Sequence, residues 1–151
     1  MLEPGSPAPA FNLPSDTGEV ISLADLKGKK VVLYFYPKDD TSGCTVEACE
    51  FRDHWDAVRK AGAVVYGVSP DGVDSHRKFA RKLSLPFPLL ADPDHAVAER
   101  YGAWGEKSRY GKRYFGILRT TFVIDQTGRI ARVFERVKPE GHAAQVLEAL
   151  R

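Results

Sequence analysis

The 151-residue chain holds two cysteines, Cys44 and Cys49, and no other side chains are as well suited to nucleophilic or redox chemistry. Both lie in Pro37-Lys-Asp-Asp-Thr-Ser-Gly-Cys-Thr-Val-Glu-Ala-Cys49, which follows an apolar run and opens a helical pattern. Cys44 falls in the first turn of that helix. Free backbone N–H groups and the positive end of the helix dipole favour an anion there, in this case a thiolate. Cysteines in such a place have raised reactivity. The competing reading is a small apolar core cysteine. If both cysteines are helical, a five-residue separation is about 7.5 Å along the axis and roughly 140° around it. Their Cα atoms are then about 8.7 Å apart, beyond the roughly 7 Å that a disulfide spans. The thiols are either unrelated core residues or a reactive pair whose helix must unwind before they meet. A zinc site lacks partner ligands at this spacing.

Other polar residues carry weaker signals. Glu47, three residues after Cys44, shares its helical face and is read either as a positioning carboxylate or as a solvated one. Asp39 and Asp40 are read as a solvated loop rather than an acid/base pair, since thiol chemistry does not require them. His54, His76, His95 and His142 show no pairing pattern and are assigned to structure or surface. Residues 104–115 interleave Trp104, Tyr110, Tyr114 and Phe115 with Lys107, Arg109, Lys112 and Arg113. Single-strand nucleic-acid binding uses such a mixture. With a net charge of only +2 and glycine spacers, a loop over the site or a partner-docking surface is preferred.

These residues must be positioned by a fold of ordinary globular composition, 43% hydrophobic and 28% charged, which argues against disorder. The length suits one domain, residues 1–151, and two cysteines exclude a disulfide-rich scaffold. No segment approaches the roughly 18 apolar residues of a membrane helix, and the N-terminus lacks a secretory pattern. A cytoplasmic address is expected, with no membrane or nucleic-acid partner.

Residues 1–20 are expected to be extended or turning, because Pro4, Pro7, Pro9 and Pro14 exclude helix nearby. Val31–Tyr36 and Val64–Val68 read as buried strands, with a helix from about Val46 to Lys60 between them and Gly62 as its stop. A helix over Asp74–Leu83, a short strand near Phe87–Leu90 and a helix from Asp92 to Tyr101 come next. In that helix Asp92 is expected as the cap and Pro93 as the first residue. Thr120–Ile124 and Ile130–Phe134 read as a hairpin about Asp125–Gly128, and Pro139–Leu150 as the last helix. The order β-α-β-α-β-α-β-β-α implies an α/β fold, a mixed central sheet with helices on both faces.

The motif resembles that of the peroxiredoxins, most closely the bacterioferritin-comigratory (PrxQ) type. The family pattern of Pro, three residues, Thr, two residues, Cys is Pro37-Lys-Asp-Asp-Thr41-Ser-Gly-Cys44 here, and the subtype's resolving cysteine, five places on, is Cys49. The family arginine falls at Arg119 in Leu118-Arg-Thr-Thr-Phe-Val-Ile-Asp125, where Thr120 replaces a more usual Ser. Pro7–Leu13 and Trp104-Gly-Glu-Lys107 also look like the family, so the resemblance spans nearly the whole chain.

The resemblance implies a thioredoxin-like fold and a thiol-dependent peroxidase, an antioxidant oxidoreductase of cell redox homeostasis. It would reduce hydrogen peroxide and organic hydroperoxides to water or alcohols. Cys44 would be peroxidatic and Cys49 resolving, forming an intramolecular disulfide recycled by thioredoxin or a similar reductant. Thr41, Arg119 and the backbone N–H groups of Gly43 and Cys44 would bind peroxide, and Pro37 would shape the loop and exclude water. No metal or organic cofactor is implied, and a monomer is expected. Two other readings use the same thiols: a redox sensor that oxidises once, and a binding module with inert thiols. On the enzymatic account the Cys44 sulfur should be open to solvent and within reach of the Arg119 guanidinium.

Overall fold

The computed structural model describes residues 2–151. The elements run β1 (Asn12–Pro14), β2 (Val20–Ser22), a 3-10 turn (Leu23–Leu26), β3 (Lys30–Phe35), α1 (Ser42–Asp53), α2 (Trp55–Lys60), β4 (Ala63–Ser69) and α3 (Val73–Leu83). The chain continues through β5 (Leu89–Ala91), α4 (Ala96–Arg100), β6 (Trp104–Arg109), β7 (Lys112–Ile117), β8 (Thr120–Ile124), β9 (Ile130–Phe134) and α5 (His142–Ala149).

Five strands form one mixed sheet in the order β5-β4-β3-β8-β9. β3 pairs parallel with β4 and antiparallel with β8. The β-branched and aromatic run of β3 suits a central strand buried on both faces. Its side chains alternate accordingly. Val31, Leu33 and Phe35 join one apolar cluster with Val97 and Ala98 of α4, Leu13 of β1, and Phe122. Val32, Tyr34 and Tyr36 join the other, with Ala48 and Phe51 of α1, Val58 of α2, Phe79 of α3 and Val146 of α5. Helices therefore cover both faces, as the element order implies.

Local departures from the expected elements have identifiable causes. The expected helix over residues 46–60 starts earlier, at Ser42, and breaks at His54 into α1 and α2. Gly62 comes after it with φ +79, a left-handed conformation that costs glycine little. Asp92 does cap α4, but across a turn: its carboxylate accepts from the N–H groups of Val97 (3.2 Å) and Ala98 (2.9 Å), so the helix begins at Ala96 rather than Pro93. The proline-rich start contains the short β1–β2 hairpin, with Pro14 at a strand end. Residues 104–115 are strands β6 and β7 rather than a loop, and Tyr110 (92%) and Phe115 (67%) stand exposed on that hairpin. Among the described residues no helix is long and apolar enough to cross a membrane.

Candidate active site

The antiparallel pairing of β3 with β8 sets Phe35 opposite Thr120. Arg119, just before β8, therefore arrives where β3 ends and residues 37–41 turn the chain into α1. This explains how side chains 75 residues apart in the chain can meet. Thr41 stands at the helix cap, and the first helical bond runs from the Thr45 N–H to the Thr41 carbonyl (2.9 Å). The N–H groups of Ser42, Gly43 and Cys44 precede that bond and have no acceptor within the helix. The first turn carries no acid that would compete for them.

Cys44 lies under this turn in the cluster that holds Tyr34, Tyr36 and Phe51. Arg119 donates from Nη2 to its Sγ at 3.3 Å and from Nη1 to Glu47 Oε1 at 2.7 Å. One planar guanidinium thus bridges the thiol and a fully buried carboxylate, and the Val137 N–H holds the Arg119 carbonyl at 3.0 Å. Gly43 makes room for the bridge. A Cβ there would stand 3.3 Å from both Arg119 Nη2 and Pro139 Cγ, closer than side chains normally pack.

The electrostatics are those of a small desolvated cluster. Burial pushes the Glu47 carboxyl up to about 7, although the charge and hydrogen bond of Arg119 pull it down. Burial also works against the Arg119 charge, but Cys44 and Glu47 outweigh it and hold the guanidinium above its ordinary value. Lys107 of β6 shares this field. Burial and Arg119 lower its ammonium while Cys44 raises it, and its Nζ donates to the Ile117 carbonyl at 2.8 Å. Burial keeps the Tyr34 phenol protonated, with Glu47 and Cys44 adding to the effect.

Cys44, Gly43 and Arg119 are brought together as the sequence reading requires. Thr41 is next to them in the chain, but its hydroxyl donates to the Lys38 carbonyl at 2.9 Å and the residue is exposed. Pro37 is half-buried, two residues past the end of β3. Cys49 is half-buried, and α1 is unbroken between the two cysteines, which are both free thiols. One expectation is not met in this conformation: Cys44 is only 1% exposed. Its guanidinium partner is 17% exposed, so the bridge itself reaches the surface.

The solvated reading of Asp39 is corrected. Asp39 is buried, accepts from the Tyr36 hydroxyl at 2.5 Å on Oδ1, and on Oδ2 pairs with the Ser75 hydroxyl and His76 Nδ1, each at 2.7 Å. Burial alone would raise its carboxyl, but the bonds from His76, Tyr36 and Ser75 outweigh burial and hold it below the usual range. Asp39, Asp71 and His76 bring ligand atoms within 4.8 Å of one another, a spacing a metal could use. Those atoms already serve hydrogen bonds, Asp71 Oδ2 accepting from the Asp39 N–H (2.7 Å) and the Ser69 hydroxyl (2.8 Å). The faint sequence signal was Tyr36 three residues before Asp39 across a proline turn. Nothing in the sequence ties either one to His76.

The AhpC/TSA family description matches residues 4–133, and the chain belongs to that family. It is 56% identical over 149 residues to the putative peroxiredoxin bcp of Coxiella burnetii (strain RSA 493 / Nine Mile phase I), covering 99% of each chain. It is 47% identical over 150 residues to peroxiredoxin Bcp of Bacillus subtilis (strain 168), covering 99% of this chain and 96% of that one. Among solved structures, a cysteine-to-serine variant of Xylella fastidiosa PrxQ superposes with a TM-score of 0.94 at 34% identity, over 99% of this chain and 96% of that one. Xanthomonas campestris bacterioferritin comigratory protein gives 0.89 at 39% identity, over 93% and 89%. The fold is thioredoxin-like, and the protein is a peroxiredoxin, a peroxidase of the oxidoreductase class.

Proposed function

We propose that Cys44 reduces peroxides and that Cys49 and a thioredoxin-type protein return it to the thiol. The supporting observation is the guanidinium of Arg119 shared between Cys44 Sγ and Glu47 at a helix N-terminus. In the first step the Cys44 thiolate attacks one oxygen of ROOH. An S–O bond forms, the O–O bond breaks, and the departing RO⁻ takes a proton to leave as alcohol, or as water when R is hydrogen. Cys44 is left as a sulfenic acid. The Cys49 sulfur then attacks that sulfur, the S–S bond forms and water leaves. A dithiol reductant restores both cysteines and becomes a disulfide itself.

Thiolate formation supplies only part of the rate. An ordinary cysteine is roughly 3% ionised at pH 7, so complete ionisation gains about 30-fold, or roughly 2 kcal/mol. Enzymes commonly reach a million-fold or more. The rest must come from donors aimed at the breaking O–O bond, where negative charge grows on the leaving oxygen. Arg119 supplies such donors, and the Gly43 and Cys44 N–H groups stand at the same helix end. Thr41 joins them once its hydroxyl leaves the Lys38 carbonyl, and Pro37 shields the loop from water. The peroxide oxygen approaches the buried Cys44 sulfur along the partly exposed guanidinium of Arg119. The Xanthomonas campestris relative is described for alkyl peroxide reduction, which supports organic hydroperoxides beside hydrogen peroxide as substrates. The two thiols share one helix, so a monomer suffices, and no step calls on a metal or organic cofactor.

The test is peroxide consumption with thioredoxin, its reductase and NADPH, beside Cys44→Ser. The parent should turn over many times and the variant not at all. A variant that consumes peroxide at the parent rate refutes the assignment, and a parent that oxidises once without cycling makes the protein a sensor.

A further inference from the structure

The loop at residues 37–41 is tied down by a polar network that the peroxidatic chemistry does not itself use. Asp39 is its centre. Its carboxylate holds the Tyr36 hydroxyl, the Ser75 hydroxyl and His76 Nδ1, and its N–H donates to Asp71 Oδ2. His76 Nε2 faces the Leu90 carbonyl at 2.9 Å, so each ring nitrogen has an oxygen partner. Asp71 in turn binds Ser69. The Asp39 carboxylate therefore joins the loop to the end of β3 and the start of α3, its N–H joins it through Asp71 to the end of β4, and His76 carries the link on to β5. Asp40 adds an exposed pair with Lys82, and its φ of +62 is uncommon for a residue with a side chain.

These bonds tie the loop to α3. A cavity of about 330 Å³ lined by Asp39, Asp40, Ser75, Lys78, Phe79 and Lys82 lies between them. The anchor sits two residues before the cap of α1 and five before Cys44. Forming the Cys44–Cys49 bond requires the first turns of α1 to unwind, since intact helical spacing is too long for a disulfide. Asp39 is the buried anchor on the N-terminal side of the segment that must unwind.

We propose that Asp39, with Ser75 and His76, is a positioning anchor that slows the unwinding of α1 and so sets the fate of the Cys44 sulfenic acid. This rests on the peroxidase reading above. The sulfenic acid has two exits. It condenses with Cys49, releasing water, or it meets a second ROOH, taking one oxygen to become a sulfinic acid while ROH leaves. The second exit is irreversible without a dedicated repair enzyme. A firm anchor lengthens the life of the folded sulfenic acid and favours the second exit. A loosened anchor favours the disulfide.

The experiment titrates thioredoxin-coupled protein with hydrogen peroxide and counts sulfinic acid against disulfide by mass spectrometry. Asp39→Asn keeps the side-chain shape but loses the charge and one acceptor. It should need about tenfold more peroxide for half-inactivation, since the Tyr36, Ser75 and His76 bonds to the charged carboxylate all weaken together. Ser75→Ala removes a single bond and should shift the ratio the same way by about threefold. It carries the test should Asp39→Asn fail to fold. A merely structural role would lower the Tm without moving the sulfinic-to-disulfide ratio. An unmoved ratio, or one moved toward sulfinic acid, overturns the proposal. If the parent forms neither product, the peroxidase reading fails instead.

Discussion

Cys44 and Cys49 occupy the same helix, five residues apart, in opposite circumstances. Cys44 is buried, bonded to Arg119 and set beside N–H groups that the helix cannot satisfy. Cys49 is half-buried one and a half turns further on, past the reach of the helix end. If exposure alone decided reactivity, Cys49 would be the nucleophile. The surroundings argue the reverse. A thiolate needs charge stabilisation, and a breaking O–O bond needs fixed donors, both of which are gathered at Cys44. On the proposed mechanism Cys49 needs mobility instead, since its bond to Cys44 requires the intervening helix to open.

The contrast breaks most sharply with serine. Cys44→Ser should abolish peroxide consumption, whereas Cys49→Ser should complete one turnover and then stall with thioredoxin as donor. Stopped-flow assays that find the two variants equally dead in the first turnover would remove the distinction. Arg119→Lys comes next. Lysine keeps the charge but cannot fork to Sγ and Glu47 together, so the second-order rate with peroxide should fall by about a hundredfold. A loss of less than about threefold would mean that charge alone suffices. A smaller effect separates reagents. Iodoacetamide at pH 6 should label Cys49 ahead of Cys44 by about tenfold, while peroxide oxidises Cys44 first. If both reagents chose Cys49, Cys44 would be an inert core thiol.

Much of this site was legible in the sequence because its parts are local. Pro37, Thr41, Gly43, Cys44 and Cys49 fall within thirteen consecutive residues, and the apolar run Val31–Tyr36 ending at Pro37 marks the strand that hands over to their helix. Arg119 was found through the family pattern. What brings it to Cys44 is the antiparallel register of β3 and β8, which no local period records. The Asp39 network was illegible for the same reason: Asp71 follows β4, which lies parallel beside β3, and His76 comes from the α3 helix that follows it, so neither reaches Asp39 by any local period. The basic and aromatic mixture, read with glycine spacers, also misled at residues 104–115. Exposed basic and aromatic side chains there looked like loop, yet glycines Gly105 and Gly116 pair in a hairpin that leaves both faces largely to solvent.

Glu47 supplies the finest test of what distinguishes the Cys44 end of the helix. Its carboxyl sits at about 7 in the folded chain, against an ordinary 4.5, because burial outweighs the pull of Arg119. Between those values the folded protein binds a proton that the unfolded chain has lost, so stability falls as pH rises through the window. The raised carboxyl is worth on the order of 3 kcal/mol, reached near pH 7. Glu47→Gln removes that penalty and also weakens the hold on Arg119. Its Tm should therefore gain on the parent as pH goes from 4.5 to 7, while its peroxide rate stays several-fold lower and its pH profile loses the component that rises near 7. Parallel melting curves with a constant offset at pH 5 and pH 8 would show that the carboxylate is not held at a cost. The contrast between the two ends of the helix would then rest on Arg119 alone.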